Sequence, residues 1–415
     1  MSTPHLRTEN LDNAEDNRFL SAGSNPLITI NLVVLNGEKY IRHCLDGILA
    51  QTYPKELIEL NILDNNSTDK TKEIINATRS DLEARTDLNR KLPKFFLLES
   101  KKNLGMWPGQ EELLKYSNGK YVLAMAVDVI LDKDFIKNAI EVMEKDSKIG
   151  ALEAKIYKYD LINSQPKLTK IIDTAGFQIE RSRRITNIGH GEEDKGPSFA
   201  KAASFAEVAT EAESEGEQFD FNKEQEIFGV EGACPFFRRE ALESCRVKVT
   251  RAPCNQQGAL VTELVTEIFD HDYFWYGDDL DLAWRMNLFG WKQVFAPSVL
   301  AWHDRQTTKS LKKNWLDYIF RVLIRWQIPI RKRRLDWRNN RFTIIKNDYL
   351  INILKDLPHI VAREIAVFGY TVLFEPRVFA ELPNFLKLLP KMLKKRKEIM
   401  RKAVVKPKEM RRWFL

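Results

Sequence analysis

The sequence predicts an α/β protein. It has a mostly parallel central sheet with helices on both faces, continued by a helical C-terminal extension. Three observations carry this. Four apolar, β-branched runs alternate with helical patterns before Asp132, the signature of right-handed crossovers in a doubly wound sheet. Asn36, Asp64 and Asp128 fall at or near the ends of three of those runs, where ligands of such sheets bind. After His303 the strand pattern gives way to helical spacing.

Residues 1–24 are polar and lack an apolar core, so they read as a disordered leader and neither signal peptide nor anchor. LITINLVVLN is the first strand. A helix with Ile41, Leu45, Ile48 and Leu49 on one face follows, with Pro54 beyond its end. IELNILDNNS is a second strand that stops at Asp64. Ser67, Thr68 and Asp69 open a helix, with Ser67 as its expected cap. FFLLES is a third strand, and a turn at Asn103-Leu104-Gly105 leads into a helix ending near Ser117. KYVLAMAVDVIL is a fourth strand, broken by Asp128. From Gly150 shorter strands and loops are expected. Residues 197–222 are acidic and Ala-rich, a mobile insertion or a surface helix. EIFGVEGACPFFRREAL restores order, with a helix from about Arg239. Helical segments are expected around 309–330 and 340–390, interrupted at Pro329, Pro358, Pro376, Pro383 and Pro390.

The chain has 415 residues, 44% of them hydrophobic, enough for a large core with an extension. Its net charge is +7, but residues 391–415 alone carry eleven Lys and Arg against Glu398 and Glu409. The positive balance therefore belongs to the tail, and the remainder is slightly acidic. Cys44, Cys234, Cys245 and Cys254 make no disulfide framework and no zinc spacing, which fits a reducing, cytoplasmic compartment. No uncharged apolar run reaches the roughly 18 residues of a spanning helix.

The stretch from Phe269 to His303 holds the densest chemistry. Asp278, Asp279 and Asp281 follow the aromatic run Tyr273 to Tyr276 and a Gly, and then a helical spacing runs through Leu282, Met286 and Phe289 to Gly290. Acids at a helix N-terminus are stabilised by the helix dipole. That accounts for one of them but not for three beside four aromatics. Such a site offers a base, a cation site and flat surfaces for a ring-shaped ligand. Asp281 reads as an i,i+4 ion pair with Arg285, although Arg285 facing phosphate is the alternative.

In order, LITINLVVLN, LDNNSTD, NLGMWPG, LAMAVDVIL, FGVEGACPFFRRE, YFWYGDDLDLAWRMNLFGW and WHDR resemble a family 2 glycosyltransferase of the GT-A fold, in its rhamnosyltransferase-like branch. The resemblance covers Pro26 to Arg305 and continues more weakly to the tail. It implies a GT-A domain over 25–308 and a basic helical extension over 309–415. It also implies an inverting transfer from a nucleotide-sugar donor, with dTDP-rhamnose the expected one, to a lipid-linked or polysaccharide acceptor in cell-envelope glycan synthesis. Asp64 resembles the aspartate that bonds the donor's pyrimidine base. Asn36, Glu38 and Asn66 lie where the family holds the nucleotide. Asp128 resembles the last position of a D-x-D-like motif that binds a divalent cation, Mg²⁺ or Mn²⁺. Ala126 departs from that motif's first position, so the cation would rely on Asp128, water and His303, which matches a family histidine near the diphosphate. Ala126 also motivates the alternative of a catalytically degenerate nucleotide-sugar-binding protein. Asp279 resembles the catalytic base, with Asp278 where the family often has Glu. Gly232-Ala233 resembles the close-approach backbone at the acceptor site, and serves equally as an ordinary turn. Trp107 and Trp275 are sugar-stacking surfaces or core. TNIGHGEEDKG (186–196) resembles a loop near the acceptor.

The basic tail interleaves Leu, Met, Val, Trp and Phe. It suits a helix on an anionic membrane surface, or a solvated helix packed on its own domain. Nucleic acid is disfavoured, because no recognition fold precedes the tail. The membrane reading matches a lipid-linked acceptor and a peripheral place on the inner face of the cell membrane. RKRRLDWRNNR (331–341) adds cations for a lipid diphosphate.

Overall fold

A computed structural model describes residues 25–85, 93–196, 219–251, 263–305, 325–326 and 328–415. The leader, the insertion over 197–218, the helical expectation over 309–324 and Cys254 lie outside them. Strands β1 (Ile28–Val34), β2 (Ile58–Asp64), β3 (Lys94–Glu99) and β4 (Tyr121–Ala126) are the four apolar runs. They are joined through helices α1 (Ile41–Leu49), α2 (Thr71–Arg85) and α3 (Met106–Leu114). β1 pairs in parallel with β2 and with β4, and β2 pairs in parallel with β3. Every residue of β1 and β2 is buried, including polar ones. Their polar groups pair across the ladder: Thr29 donates to Glu59 at 2.9 Å and Asn61 donates to Asn31 at 3.2 Å. This is how a buried strand tolerates such residues.

After Asp128 come β5 (Val129–Leu131) and α4 (Phe135–Met143). Then β6 (Ile149–Ile162) and β7 (Gln165–Thr174) form a long hairpin where shorter strands were expected. Asn163 and Ser164 both take positive φ at its two-residue turn, the geometry that matches strand twist. Short strands β8 (Phe177–Ile179), β9 (Ile185–Asn187) and β10 (Gln225–Glu226) precede β11 (Phe236–Arg238) and α5 (Arg239–Ser244). A separate hairpin, β12 (Val247–Arg251) and β13 (Glu263–Glu267), leads to α6 (Asp278–Leu288) and β14 (Lys292–His303). The main sheet runs β10-β14-β6-β11-β4-β1-β2-β3, with β5 on β14 and β7 on β6. β11 is antiparallel to both neighbours, so the sheet is mixed although mostly parallel. Gly290, at φ +83°, ends α6 as expected. Ser67 does not cap α2. Its hydroxyl accepts the Asn36 N–H at 3.0 Å, and Asp69 accepts the N–H of Thr71, where the helix begins.

The extension is helical: α7 (Ile330–Asn347), α8 (Leu350–Lys355), α9 (Leu357–Phe374), α10 (Leu382–Lys402) and α11 (Pro407–Met410). The prolines mark helix starts, where the missing N–H costs nothing. Pro390 is the exception and sits inside α10 without ending it. The tail packs on the sheet-bearing part. Met392, Lys395, Ile399, Met410 and Phe414 are buried, and Leu415 exchanges backbone hydrogen bonds with Ile179 and Arg181.

Candidate active site

The carboxyl ends of the parallel strands open into a cavity of about 640 Å³, a volume suited to a small-molecule ligand. Three walls carry its chemistry. Asp128 follows β4, His303 ends β14 and Arg305 lies just beyond it. Glu231, Gly232 and Ala233 precede β11. Phe274, Trp275 and Tyr276 precede α6 and Asp279 lies in its first turn, with Lys332 of α7 beside them.

Asp279 is placed by its helix. Gly277 takes φ +83° immediately before α6, and successive side chains then turn by about 100°. Asp278 and Asp281, three apart, share the buried face, and Asp279 points into the cavity. Its Oδ1 accepts the Leu280 N–H at 2.9 Å. Burial, then the Glu231 charge, raise the Asp279 pKa to about 7. Gly232 is the close approach: a Cβ there would lie 3.0 Å from both Asp279 Oδ2 and Trp107 Cζ2.

Opposite, His303 stands between two carboxylates. Its Nδ1 is 2.9 Å from Asp173 Oδ2 and its Nε2 is 3.5 Å from Asp128 Oδ2. Burial alone would lower its pKa, but Asp128 and Asp173 raise it to about 10. Arg305 donates to Asp173 at 3.0 Å and to Glu231 at 2.8 Å. One guanidinium thus ties the histidine side to the carboxylate that faces Asp279.

Residues 29–246 match the family model Glycosyl transferase family 2. The chain belongs to this family. A relative from Methanococcus voltae, dolichyl N-acetyl-alpha-D-glucosaminyl phosphate 3-beta-D-2,3-diacetamido-2,3-dideoxy-beta-D-glucuronosyltransferase, is 32% identical over 152 residues, 35% of this chain and 43% of that protein. Poly(ribitol-phosphate) beta-glucosyltransferase of Bacillus spizizenii is 31% identical over 103 residues, 24% of this chain and 14% of that protein. The match spans less than half the length of either relative. Among solved structures, S. aureus TarS 1-349 in complex with UDP is 14% identical, covers 91% of this chain and 88% of that chain, and has a TM-score of 0.46.

In this family 2 glycosyltransferase the cavity brings together Asp128, His303, Gly232, Ala233, Trp275 and Asp279. Trp275 stacks on Tyr276 at 4.7 Å and is half-exposed. Trp107 serves both readings, lining the cavity while stacking on Phe269. Asp278, in contrast, is fully buried behind the wall, and neither of its carboxyl oxygens has a hydrogen-bond partner among the described residues. It touches no ligand space. Asp281 pairs with Arg285 at 2.9 Å, and Arg285 is buried with no face toward phosphate.

Four other residues lie outside the cavity lining. Asn36 Oδ1 accepts the Thr68 N–H at 2.8 Å, and Glu38 Oε2 accepts the Lys70 N–H at 3.2 Å. Both brace the β1–α1 loop against the β2–α2 loop. Asp64 is buried and accepts the Ser67 N–H at 3.1 Å, while Asn66 is exposed at φ +74°. Their neighbour Asn65 lines the cavity instead. It donates to Asn103 Oδ1 at 3.1 Å and to the Gly105 carbonyl at 3.2 Å. In the 186–196 loop, His190 leans on the Asp173 carbonyl and stays outside the lining.

A divalent cation fits one edge of this site. Asp128 offers one donor on the cavity wall, His303 Nε2 would offer a second once a cation displaces its proton, and Asp173 orients the imidazole from behind, as carboxylates do for ligating histidines. Ala126 contributes none, so the other ligands would be diphosphate oxygens and water. A second acidic trio, Glu267, Asp270 and Asp272, has the spacing for a metal. Its centre is taken by the Lys395 ammonium, which contacts Glu267 at 2.6 Å, Asp272 at 2.8 Å and Asp270. That trio is an ion-pair cluster.

The signals missed in the sequence are Glu231, Arg305 and Asn339, all of which stand inside stretches already singled out. Phe274 and Tyr276 take positive φ, at +65° and +68°, a costly conformation for aromatic residues. Asn339 of α7 holds them. Its Nδ2 donates to the carbonyls of Tyr273 at 3.1 Å, Trp275 at 2.9 Å and Tyr276 at 2.7 Å. Arg338 reaches the Asp272 carbonyl at 2.8 Å and pairs with Glu381. Of the basic run 331–341, Lys332 alone lines the cavity. Asn339→Ala is expected to lower kcat by about 10–100-fold, because the loop carrying Asp279's neighbours relaxes. It should cost roughly 1–3 kcal/mol of stability and leave nucleotide affinity nearly unchanged. Steady-state rates set beside urea unfolding check this, and an unaltered kcat would mean the loop holds its shape without the amide.

Proposed function

We propose that this chain is an inverting glycosyltransferase of the rhamnosyltransferase-like branch. It transfers rhamnose from dTDP-rhamnose to a lipid-linked or polysaccharide acceptor in cell-envelope glycan synthesis, working in the cytoplasm at the inner face of the membrane. Its parts are a GT-A domain over 25–308 and the extension over 309–415. One observation carries the reading: a carboxylate with a pKa near 7, Asp279, faces Asp128 and His303 across one cavity. Relatives named for a dolichyl-linked sugar phosphate and for a poly(ribitol-phosphate) support a glycan-building acceptor.

Asp279 takes the proton of the acceptor hydroxyl. The hydroxyl oxygen attacks the anomeric carbon from the face opposite the leaving group, the bond to the nucleoside diphosphate breaks, and the configuration inverts. Asp128 and His303 would hold a divalent cation, which when bound neutralises charge on the diphosphate. Arg305 keeps Glu231 and Asp173 in place around both groups. Asp64, Asn36, Glu38 and Asn66 would meet the nucleotide through the loops they brace, and Asp64 would take the pyrimidine N–H. Gly232, Ala233 and Trp275 would receive the acceptor.

The test is a panel of dTDP-, UDP- and GDP-sugars with Mg²⁺ or Mn²⁺, read as thermal shift and as nucleoside diphosphate released, with the product's anomeric configuration assigned by NMR. dTDP-rhamnose should stabilise most and give an inverted product. Retention of configuration overturns the mechanism. Binding without release under every condition favours the second reading, a degenerate nucleotide-sugar-binding protein, which Ala126 motivates.

A further inference from the structure

Helix α9 breaks the usual rule for a surface helix. Of its 18 residues only Thr371 is buried. Leu357, Val361, Ile365, Phe368 and Val372 recur at helical spacing, and all are exposed, Ile365 at 67% and Phe368 at 59%. The two charges of α9 are withdrawn from that stripe: Glu364 pairs with Arg341 of α7 at 2.5 Å, and Arg363 pairs with Glu364 at 2.9 Å. Leu350, Ile351 and Leu354 of α8 and Leu382, Leu386 and Leu393 of α10 add further exposed apolar surface. On α10 this row runs beside exposed Lys387 and Lys394. So large an apolar surface on one chain marks an interaction site.

We propose that this surface docks on an anionic lipid bilayer, with α9 lying in the interface plane. The proposal rests on the reading above, in which a lipid-linked acceptor must reach the cavity. Three observations select the occupant. From Ile328 to Leu415 there are twenty-two Lys and Arg against eight Asp and Glu, so a second copy of this face would be repelled, whereas anionic headgroups are attracted. An apolar stripe beside a basic row is the pattern of an in-plane helix. α9 is long enough to cross a bilayer, but Glu364 and the Phe368–Phe379 ring contact at 5.6 Å fasten its middle to the domain. Its C-terminal end lies close to the cavity rim: Trp326 donates to the Phe374 carbonyl at 3.1 Å, and Pro329, three residues on, lines the cavity with Lys332. Docked this way, the mouth sits at headgroup level. The basic tail beyond α10, packed on the domain, is not the main contact.

The experiment is co-sedimentation of the full-length protein with phosphatidylcholine vesicles, with and without about 30 mol % phosphatidylglycerol. Binding should be at least tenfold greater on the anionic vesicles. Ile365→Glu with Val372→Glu should lower it by about tenfold or more, and Lys387→Glu with Lys394→Glu should remove the anionic preference. Circular dichroism and the thermal shift with dTDP should stay unchanged in both. No sedimentation of the wild-type protein on either vesicle overturns the proposal. So does a concentration-dependent dimer that the α9 variant abolishes. Loss of nucleotide binding in the wild-type protein would instead sink the glycosyltransferase reading and leave the vesicle result standing.

Discussion

Asp279→Asn is expected to lower turnover by about 10²–10⁴-fold while nucleotide binding is retained, because the amide cannot accept the acceptor's proton. The wild-type rate should have a matching pH dependence. The carboxyl titrates near pH 7 in the folded protein, so the rate should climb about tenfold per pH unit below that value and level off above it. The stability effect runs the other way. The folded pKa of about 7 lies above the ordinary 3.8, so the native state keeps a proton that the unfolded chain releases. Stability therefore falls as pH rises from about 4 to 7. Asp279→Asn has no charge to bury and should be roughly 1–2 kcal/mol more stable than wild type at pH 8, a figure reduced from the full shift because the side chain is partly solvated. The gain should vanish near pH 4. Urea unfolding at both pH values and a pH–rate profile measure this. A flat profile, or a variant with near-normal turnover, removes Asp279 from the role of base.

The contrast between Asp279 and its neighbours shows what could be read in advance. The parallel strands were legible because burial on both faces leaves an unbroken apolar run, as in ITINLVV and IELNILD. That Asp128, His303, Gly232 and Asp279 line one cavity follows from motifs that end strands or start a helix. Asp278 was misjudged for a reason the sequence contains. A helix beginning at Asp278 puts Asp278, Asp281 and Arg285 on one face, and that face is the core. Asn36 and Glu38 fall outside the cavity lining because polar loop residues serve neighbouring backbone amides as readily as ligands. The role of Asn339 could not be read, although the residue stands in the basic run 331–341. It lies more than sixty residues from the carbonyls it holds, and only the packing of α7 on α6 brings them together. The β6–β7 hairpin was lost because β7 is largely exposed, which dilutes the apolar pattern.

The same packing makes Lys395 the most consequential residue of the extension. Its ammonium is buried among Glu267, Asp270 and Asp272. Lys346 extends the cluster, contacting Asp270 at 2.5 Å and Asp281 at 2.8 Å, and Arg285 closes it on Asp281. α10 and α7 are thus fastened to α6, the helix that presents Asp279. Lys395→Met keeps the apolar stem and removes the charge, stranding carboxylates out of water. The expected loss is about 3–5 kcal/mol, since removing one partner of a buried pair costs far more than the pair contributes. The sign of its pH dependence follows. Asp270 is held well below the ordinary carboxylate range, with Lys346 and Lys395 overcoming the cost of burial. In the wild type its contribution is therefore present above pH 4 and lost only in strong acid. In the variant the orphaned carboxylates protonate more easily, so the deficit should be largest at pH 8 and shrink toward pH 4–5. Adding Asp270→Asn to Lys395→Met should recover part of the loss at pH 8, because one stranded charge goes with it. Chemical unfolding across that pH range decides the matter: a deficit that does not change with pH would mean the cost is lost packing, and a variant as stable as wild type would mean the extension is not held to α6 by this charge.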